Sequence, residues 1–169
     1  MKLTISLEKR GIRGFTIVEL LVIIAVIGIL TTIAISRYRS FKLRAYNNNA
    51  LYDLKNLIND ELSYFSINQQ FAGFSVSNST PNGIIRTDNF EHRYLSKDIK
   101  AVGKVNGNYA NFCTKHKWGD KIFAYQSETD TIYWKKSQVG YELEDSDCPN
   151  ATSDNDFPPP EWQVLAQSR

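Results

Sequence analysis

The sequence predicts an α+β fold, a long amino-terminal α-helix packed on a four-stranded antiparallel β-sheet. Three observations predict it. Residues 14–35, GFTIVELLVIIAVIGILTTIAI, hold a single charged side chain, Glu19, and from 20 to 30 they are all apolar or glycine. Beyond residue 37 the apolar residues recur three or four apart, the spacing of one helix face. Beyond residue 100 they alternate with polar residues in short runs separated by turns.

The apolar run comes first. As a helix, residues 15–35 extend about 30 Å at ~1.5 Å per residue, enough to cross the hydrocarbon core of a bilayer. A circumference that is apolar all round suits lipid or a buried bundle. Glu19 interrupts it. A carboxylate near a bilayer centre costs about 2.5–3.5 kcal/mol on insertion scales, which marks Glu19 as functional. Ahead of the run, Lys2, Lys9, Arg10 and Arg13 stand against Glu8. A basic segment of this kind holds its end in the cytoplasm. No small-residue cleavage site follows the run, so the apolar segment is expected to stay with the mature chain. A cut between Gly14 and Phe15 would create an ammonium group at Phe15, and the Glu19 of a neighbouring copy would be its partner. Opposite charges in apolar surroundings attract strongly, and an unpaired one is costly. Such a pair would set helix register during assembly. The plainer alternative is a signal-anchored membrane protein with an incidental glutamate; the leader charge, the position of Glu19 and the Gly14-Phe15 junction weigh against it.

Gly14-Phe15-Thr16-Ile17-Val18-Glu19 followed by LLVIIAVIGILTTIAI resembles the class III signal of the type IV pilins and pseudopilins. KLRAYNNNALYDLKNL further resembles the helix continuation of the short pilins of metal-reducing deltaproteobacteria. The resemblance implies that residues 1–14 are a leader removed by a prepilin peptidase, with cleavage at Gly14 and N-methylation of Phe15. It makes Glu19 the assembly residue that neutralises Phe15 of the next subunit. It implies a pilin fold, with residues 15–36 as the transmembrane and assembly helix, 37–71 as its amphipathic half and 72–169 as the globular domain. One departure is Ser36, which stands where the family usually has proline; without that helix breaker a bend near Ser36 is in doubt.

The amphipathic half carries Leu43, Tyr46, Ala50, Leu54, Leu57 or Ile58, Leu62 and Phe65 at helical spacing. Asn47-Asn48-Asn49 are poor helix formers, expected to loosen a turn. Aromatics punctuate this helix, among them Tyr38, Phe41, Tyr46, Tyr52 and Phe65. Packing in the core and between subunits is the first reading of them; charge transfer along a fibre, as proposed for the similar short pilins, is the second. No CxxCH haem motif accompanies them. SVSNSTPNG, residues 75–83, is a surface loop by composition. Residues 90–99 give no firm period, and a short helix is the expectation over EHRYLSKDI. Strand signals follow at 101–105 and 109–113, around Asn106-Gly107-Asn108, and at 121–126 and 131–135. Their alternation is that of half-buried antiparallel strands.

The domain after the helix is expected to face the periplasm or exterior, where disulfides persist. Cys113 and Cys148 allow one pairing. It would tie the proline-rich, acidic segment after Gly140 to the 109–113 strand, similar to the disulfide-bounded loop that decorates pilin fibres. His92 and His116, each beside basic residues, read as surface histidines. Glu142, Glu144, Asp145, Asp147, Asp154 and Asp156 raise the question of calcium, but without EF-hand spacing a solvated acidic loop is the preferred reading. No metal site, cofactor or catalytic constellation is expected, so the chain is read as a non-enzyme. Without the leader the side chains count 16 basic and 17 acidic residues, which gives no strong nucleic-acid signal.

The resemblance then implies a pilus subunit for adhesion or twitching motility. Such a subunit is held in the inner membrane as a prepilin and assembled into a helical homopolymer by a platform protein, an ATPase and a secretin. The alternatives are a minor pilin, a type II secretion pseudopilin and, in a different class, an electron-conducting filament subunit.

Overall fold

The computed structural model describes residues 14–165, so residues 1–13 of the expected leader, 1–14, lie outside the described residues. The chain divides into two compact units, Met1–Arg39 and Ser40–Arg169. In chain order the elements are α1 (Ile17–Asn68), β1 (Ile85–Arg86), β2 (Glu91–His92), β3 (Ile99–Asn106), β4 (Tyr109–His116), β5 (Lys121–Gln126), β6 (Thr131–Lys136) and β7 (Gln163–Val164).

The described part of the first unit is the apolar start of α1. Its hydroxyls are satisfied within the helix. Thr31 and Thr32 donate to the carbonyls of Ile27 and Gly28 at 2.7 and 3.0 Å, and Ser36 donates to that of Ile33 at 3.0 Å. This back-bonding removes the cost of carrying a hydroxyl among apolar groups. The helix runs through Ser36 without a break.

In the second unit the carboxyl-terminal half of α1 lies on one face of a five-stranded sheet, ordered β3-β4-β5-β6-β7 and antiparallel throughout. β1 and β2 form a small separate hairpin. Four of the five strands are those the alternation predicts. The fifth, β7, is added by the tail, where Gln163 and Val164 pair with Trp134 and Tyr133. A two-residue strand after a proline run carries no alternation to read. Gly107 opens the β3–β4 turn with φ of 60°, which suits glycine at the first position of a two-residue hairpin turn.

Strand alternation sorts the core into two layers. Toward α1, Ala101, Ala110, Phe112, Phe123 and Tyr125 pack with Ala50, Leu54, Leu57 and Ile58. Phe112 is the hub, with ring centroids 5.9, 6.1 and 6.3 Å from Phe71, Phe74 and Tyr125. Gly103 permits this packing: its backbone bonds both ways with Phe74, and a Cβ there would stand 2.5 Å from the Phe74 ring. On the opposite face Val102, Cys113, Ile122, Ala124 and Tyr133 meet Leu143, Cys148, Phe157 and Trp162. β4 and β5 are therefore not half-buried, whereas β6 buries Tyr133 and leaves its other residues half-buried or exposed. β4 is buried from Ala110 to its end, because the tail is a third layer and not a loose decoration.

Cys113 and Cys148 are joined, with Cα atoms 5.7 Å apart across 35 residues of sequence. Opening a closed loop of that size costs about 3–4 kcal/mol in the chain-entropy account. A Cys113→Ser, Cys148→Ser chain should lose roughly that much in urea unfolding; a loss below about 1 kcal/mol would mean that Phe157 and Trp162 hold the tail alone. Lys115 is a second tie. Only 1% exposed, its ammonium donates to the carbonyls of His116, Gly119 and Tyr141 at 3.1, 3.1 and 2.7 Å. It clamps the β4–β5 turn to the start of the tail, and burial lowers its pKa.

Several expectations are corrected. Both histidines are buried, not surface residues. His92 Nδ1 lies 2.6 Å from Asp60, and His116 Nδ1 accepts the Trp118 N–H while its ring packs on Tyr46 at 4.4 Å. The asparagine triplet loosens nothing. The helix is continuous because Asn47 is tied down: its amide donates to Asp120 at 2.7 Å and its oxygen accepts the Asp120 N–H. Leu62 is 43% exposed, and its neighbour Glu61 faces inward instead, accepting the Ala72 N–H at 3.0 Å. Residues 90–99 are not helical. β2, then a Leu95 N–H bond to Gly83 and two Ser96 bonds to Asp53, hold residues 91–96 extended along the helix, and Lys97-Asp98 turn the chain into β3. α1 ends at Asn68, three residues early, where Gln69 takes φ of 56° and bonds back to Phe65 in a left-handed cap.

Candidate assembly segment

Gly14, Phe15 and Thr16 precede α1 and belong to no regular element. All three are exposed, Phe15 by 81%. A peptide bond that is exposed and outside a helix is open to a peptidase, since the bond must be extended to enter an active site. A Cβ built on Gly14 meets nothing within 4 Å. Packing among the described residues therefore does not demand glycine at 14.

Thr16 and Glu19 start the helix together. Thr16 Oγ1 accepts the Glu19 N–H at 3.2 Å, and Glu19 Oε2 accepts both the backbone N–H and the hydroxyl of Thr16 at 2.8 Å. This is a reciprocal capping box, which satisfies donors that a helix start leaves orphaned. A carboxylate there also sits at the positive end of the helix dipole. The T-x-x-E pattern at 16–19 signals this cap in the sequence, a role that the charge-pairing argument passes over. Glu19 thus has a partner within its own chain. From Ile17 to Ile35 the large apolar side chains are exposed, and α1 alone among the described helices is long and apolar enough to cross a membrane.

The five aromatics singled out by sequence do not share one setting. Tyr46 packs on His116, and Phe65 stacks on Phe71 with centroids 4.5 Å apart, so both are used by the domain. Tyr38, Phe41 and Tyr52 are exposed by 64, 72 and 65%. The acidic residues of the tail are likewise engaged. Asp145 accepts the Val76 N–H, Asp147 accepts from the Tyr141 hydroxyl, Asp156 accepts from Asn111 and Thr152, and Glu142 pairs with Lys117. They fasten the tail to the sheet and to the 75–78 turn. Spacing alone does not show this, because Val76, Asn111 and Lys117 stand 69, 45 and 25 residues from their acidic partners.

Comparison with known proteins bears on this segment above all. Residues 9–35 match the model of the prokaryotic N-terminal methylation motif. The chain is 38% identical over 63 residues to the Type IV major pilin protein PilA of Myxococcus xanthus (strain DK1622), a match covering 37% of this chain and 29% of that protein. It is 26% identical over 95 residues to a Fimbrial protein of Neisseria meningitidis serogroup B, covering 56% of this chain and 51% of that protein. The match thus spans under a third of the first relative and about half of the second.

Proposed function

We propose that this chain, a type IV pilin by its amino-terminal motif and its relatives, is a structural subunit of a helical surface filament. One observation carries the reading. The methylation motif at 9–35 coincides with an accessible Gly14–Phe15 bond and with an apolar helix start whose side chains have no cover among the described residues. Apolar helices of this kind move from lipid into a bundle of their own kind, where close packing replaces lipid contact.

In this reading a prepilin peptidase removes residues 1–14 and Phe15 is methylated. Residues 15–36 hold the subunit in the inner membrane and then line the filament, and residues 37–71 carry the domain formed by 72–169. A platform protein, an ATPase and a secretin serve assembly, and the filament serves adhesion or motility. Glu19 pairs with Phe15 of the neighbouring copy.

Mass spectrometry of filaments sheared from cells tests the proposal. The expected result is a dominant chain that starts at N-methyl-Phe15 and is oxidised at Cys113 and Cys148. A processed chain confined to the membrane would replace a major subunit by a minor pilin or pseudopilin. A chain still carrying residues 1–14 would overturn the reading. A Gly14→Val chain should accumulate as uncut precursor. Because a side chain at 14 meets nothing in the chain itself, its domain should fold as before; normal cutting would remove the cleavage assignment.

A further inference from the structure

We infer that the cavity between the 79–83 turn, residues 95–100 and the end of β4 binds an oxyanion group: a phosphate, a sulfate or the carboxylate of an acidic saccharide. The cavity is about 580 Å³. Four of the eight lysines after residue 72 line it: Lys97, Lys100, Lys115 and Lys117. Two carboxylates, Asp98 and Glu142, share the wall. The lining therefore keeps a positive surplus in a domain whose remaining charge is not basic.

The groups differ in what they have left to give. Lys115 spends its ammonium on carbonyls, but its charge stays in the wall. Lys117 pairs with Glu142 at 2.8 Å. Lys97 and Lys100 form no ion pair within 4 Å among the described residues, although Lys100 lies near enough to Glu142 to help lower its pKa. Ser79 is a second, independent pointer. It is half-buried and lines the same cavity, and its hydroxyl oxygen is buried with no hydrogen-bond partner among the described residues. Buried hydroxyls are nearly always satisfied, and an unsatisfied one favours any ligand that accepts its hydrogen. The Thr80 hydroxyl accepts the Ile84 N–H and keeps its own hydrogen to donate. Two free ammonium groups and two hydroxyl donors around one concavity match the charge and the several lone pairs of an oxyanion. The site does not depend on filament assembly, and a chain that failed to assemble would still bind.

The test is a titration of the full processed chain, isotope-labelled and held in detergent micelles, followed by amide chemical shifts. The probes are sodium sulfate, sodium glucuronate and glucose, at ionic strength fixed with sodium chloride. The expected result is saturable shifts at residues 79–80, 97–100 and 117, with a Kd of about 5 mM or tighter for at least one anion and no response to glucose. Binding should weaken about tenfold or more in Lys97→Gln, Lys100→Gln, and should tighten in Glu142→Gln, which removes a wall charge and frees Lys117. Sulfate alone would assign a tetrahedral anion, and glucuronate alone a saccharide carboxylate; both support the site. Lys97 and Glu142 are exposed and Lys100 is half-buried at the cavity wall, so the variants keep the fold. Absence of saturation with both anions, or an equal loss in Lys136→Gln on a different strand, would overturn it.

Discussion

A Glu19→Ala chain is expected to be cut at Gly14 normally and to enter filaments at least about tenfold less than the unaltered chain. Removing one partner of a desolvated ion pair costs about 3–5 kcal/mol, because the other charge is left unpaired. Tenfold corresponds to about 1.4 kcal/mol, so even a partly hydrated pair produces that loss. The structure adds a competing account. Glu19 caps its own helix through Thr16, and loss of a cap costs about 1 kcal/mol by itself. Thr16→Val separates the two. It removes the hydroxyl that receives the Glu19 N–H, yet leaves the carboxylate charge and the backbone bond from residue 16. If Glu19 acts between copies, Thr16→Val should assemble almost normally while Glu19→Ala and Glu19→Gln both fail. If capping is the whole role, Thr16→Val and Glu19→Ala should fall together. Filament mass sheared per cell is the readout, with membrane-held processed chain as the control. Normal yield from Glu19→Ala would end the pairing proposal.

Periodicity made the apolar features legible. The stripe of Ala50, Leu54, Leu57 and Ile58 and the four long strands lie where hydrophobic spacing puts them, because burial of apolar area drives each, and the exposed run at 20–30 is legible from its length without a charge. Polar burial was not legible. Asn47, Asp53 and Glu61 share the packed face of α1, yet each looks like a solvent residue until its partner is known. Those partners are Asp120, Ser96 and Ala72, separated from them by 73, 43 and 11 residues. The same holds for His92, which spacing assigns to the surface and Asp60 draws inward. These carboxylates are attachment points along α1 for the segment between helix and sheet, which has little regular structure and also sends Phe71, Phe74, Ile85, Phe90 and Leu95 into the core. The tail escaped for a related reason. Its anchors Leu143, Cys148, Phe157 and Trp162 have no period, since a loop crossing a sheet places side chains where pockets exist, not at fixed intervals.

Glu61 is the attachment point with the largest pH consequence. Its side chain is fully buried, Oε2 accepts the Ala72 N–H, and Oε1 has no partner. Burial, helped by the neighbouring Asp60 charge and opposed by the Ala72 bond, pushes its pKa up to about 8. The folded chain therefore holds this proton more tightly than the unfolded chain, whose glutamate titrates near 4.5. The stability tied to the neutral carboxyl is fully present below about pH 4.5 and is lost as pH rises through about 8. A shift of that size corresponds to at most about 4–5 kcal/mol, and relaxation of the site reduces it to a few. Glu61→Gln keeps an acceptor for the Ala72 N–H and cannot ionise. Urea unfolding of the two chains between pH 5 and 9 should therefore show curves that diverge, with the glutamate chain losing about 2–4 kcal/mol relative to the glutamine chain by the alkaline end. Glu61→Leu should be less stable than glutamine at every pH, because it orphans the Ala72 N–H at about 1–3 kcal/mol. Parallel curves for glutamate and glutamine would mean that Glu61 is hydrated or charged in the folded chain, and the buried attachment point would have to be given up.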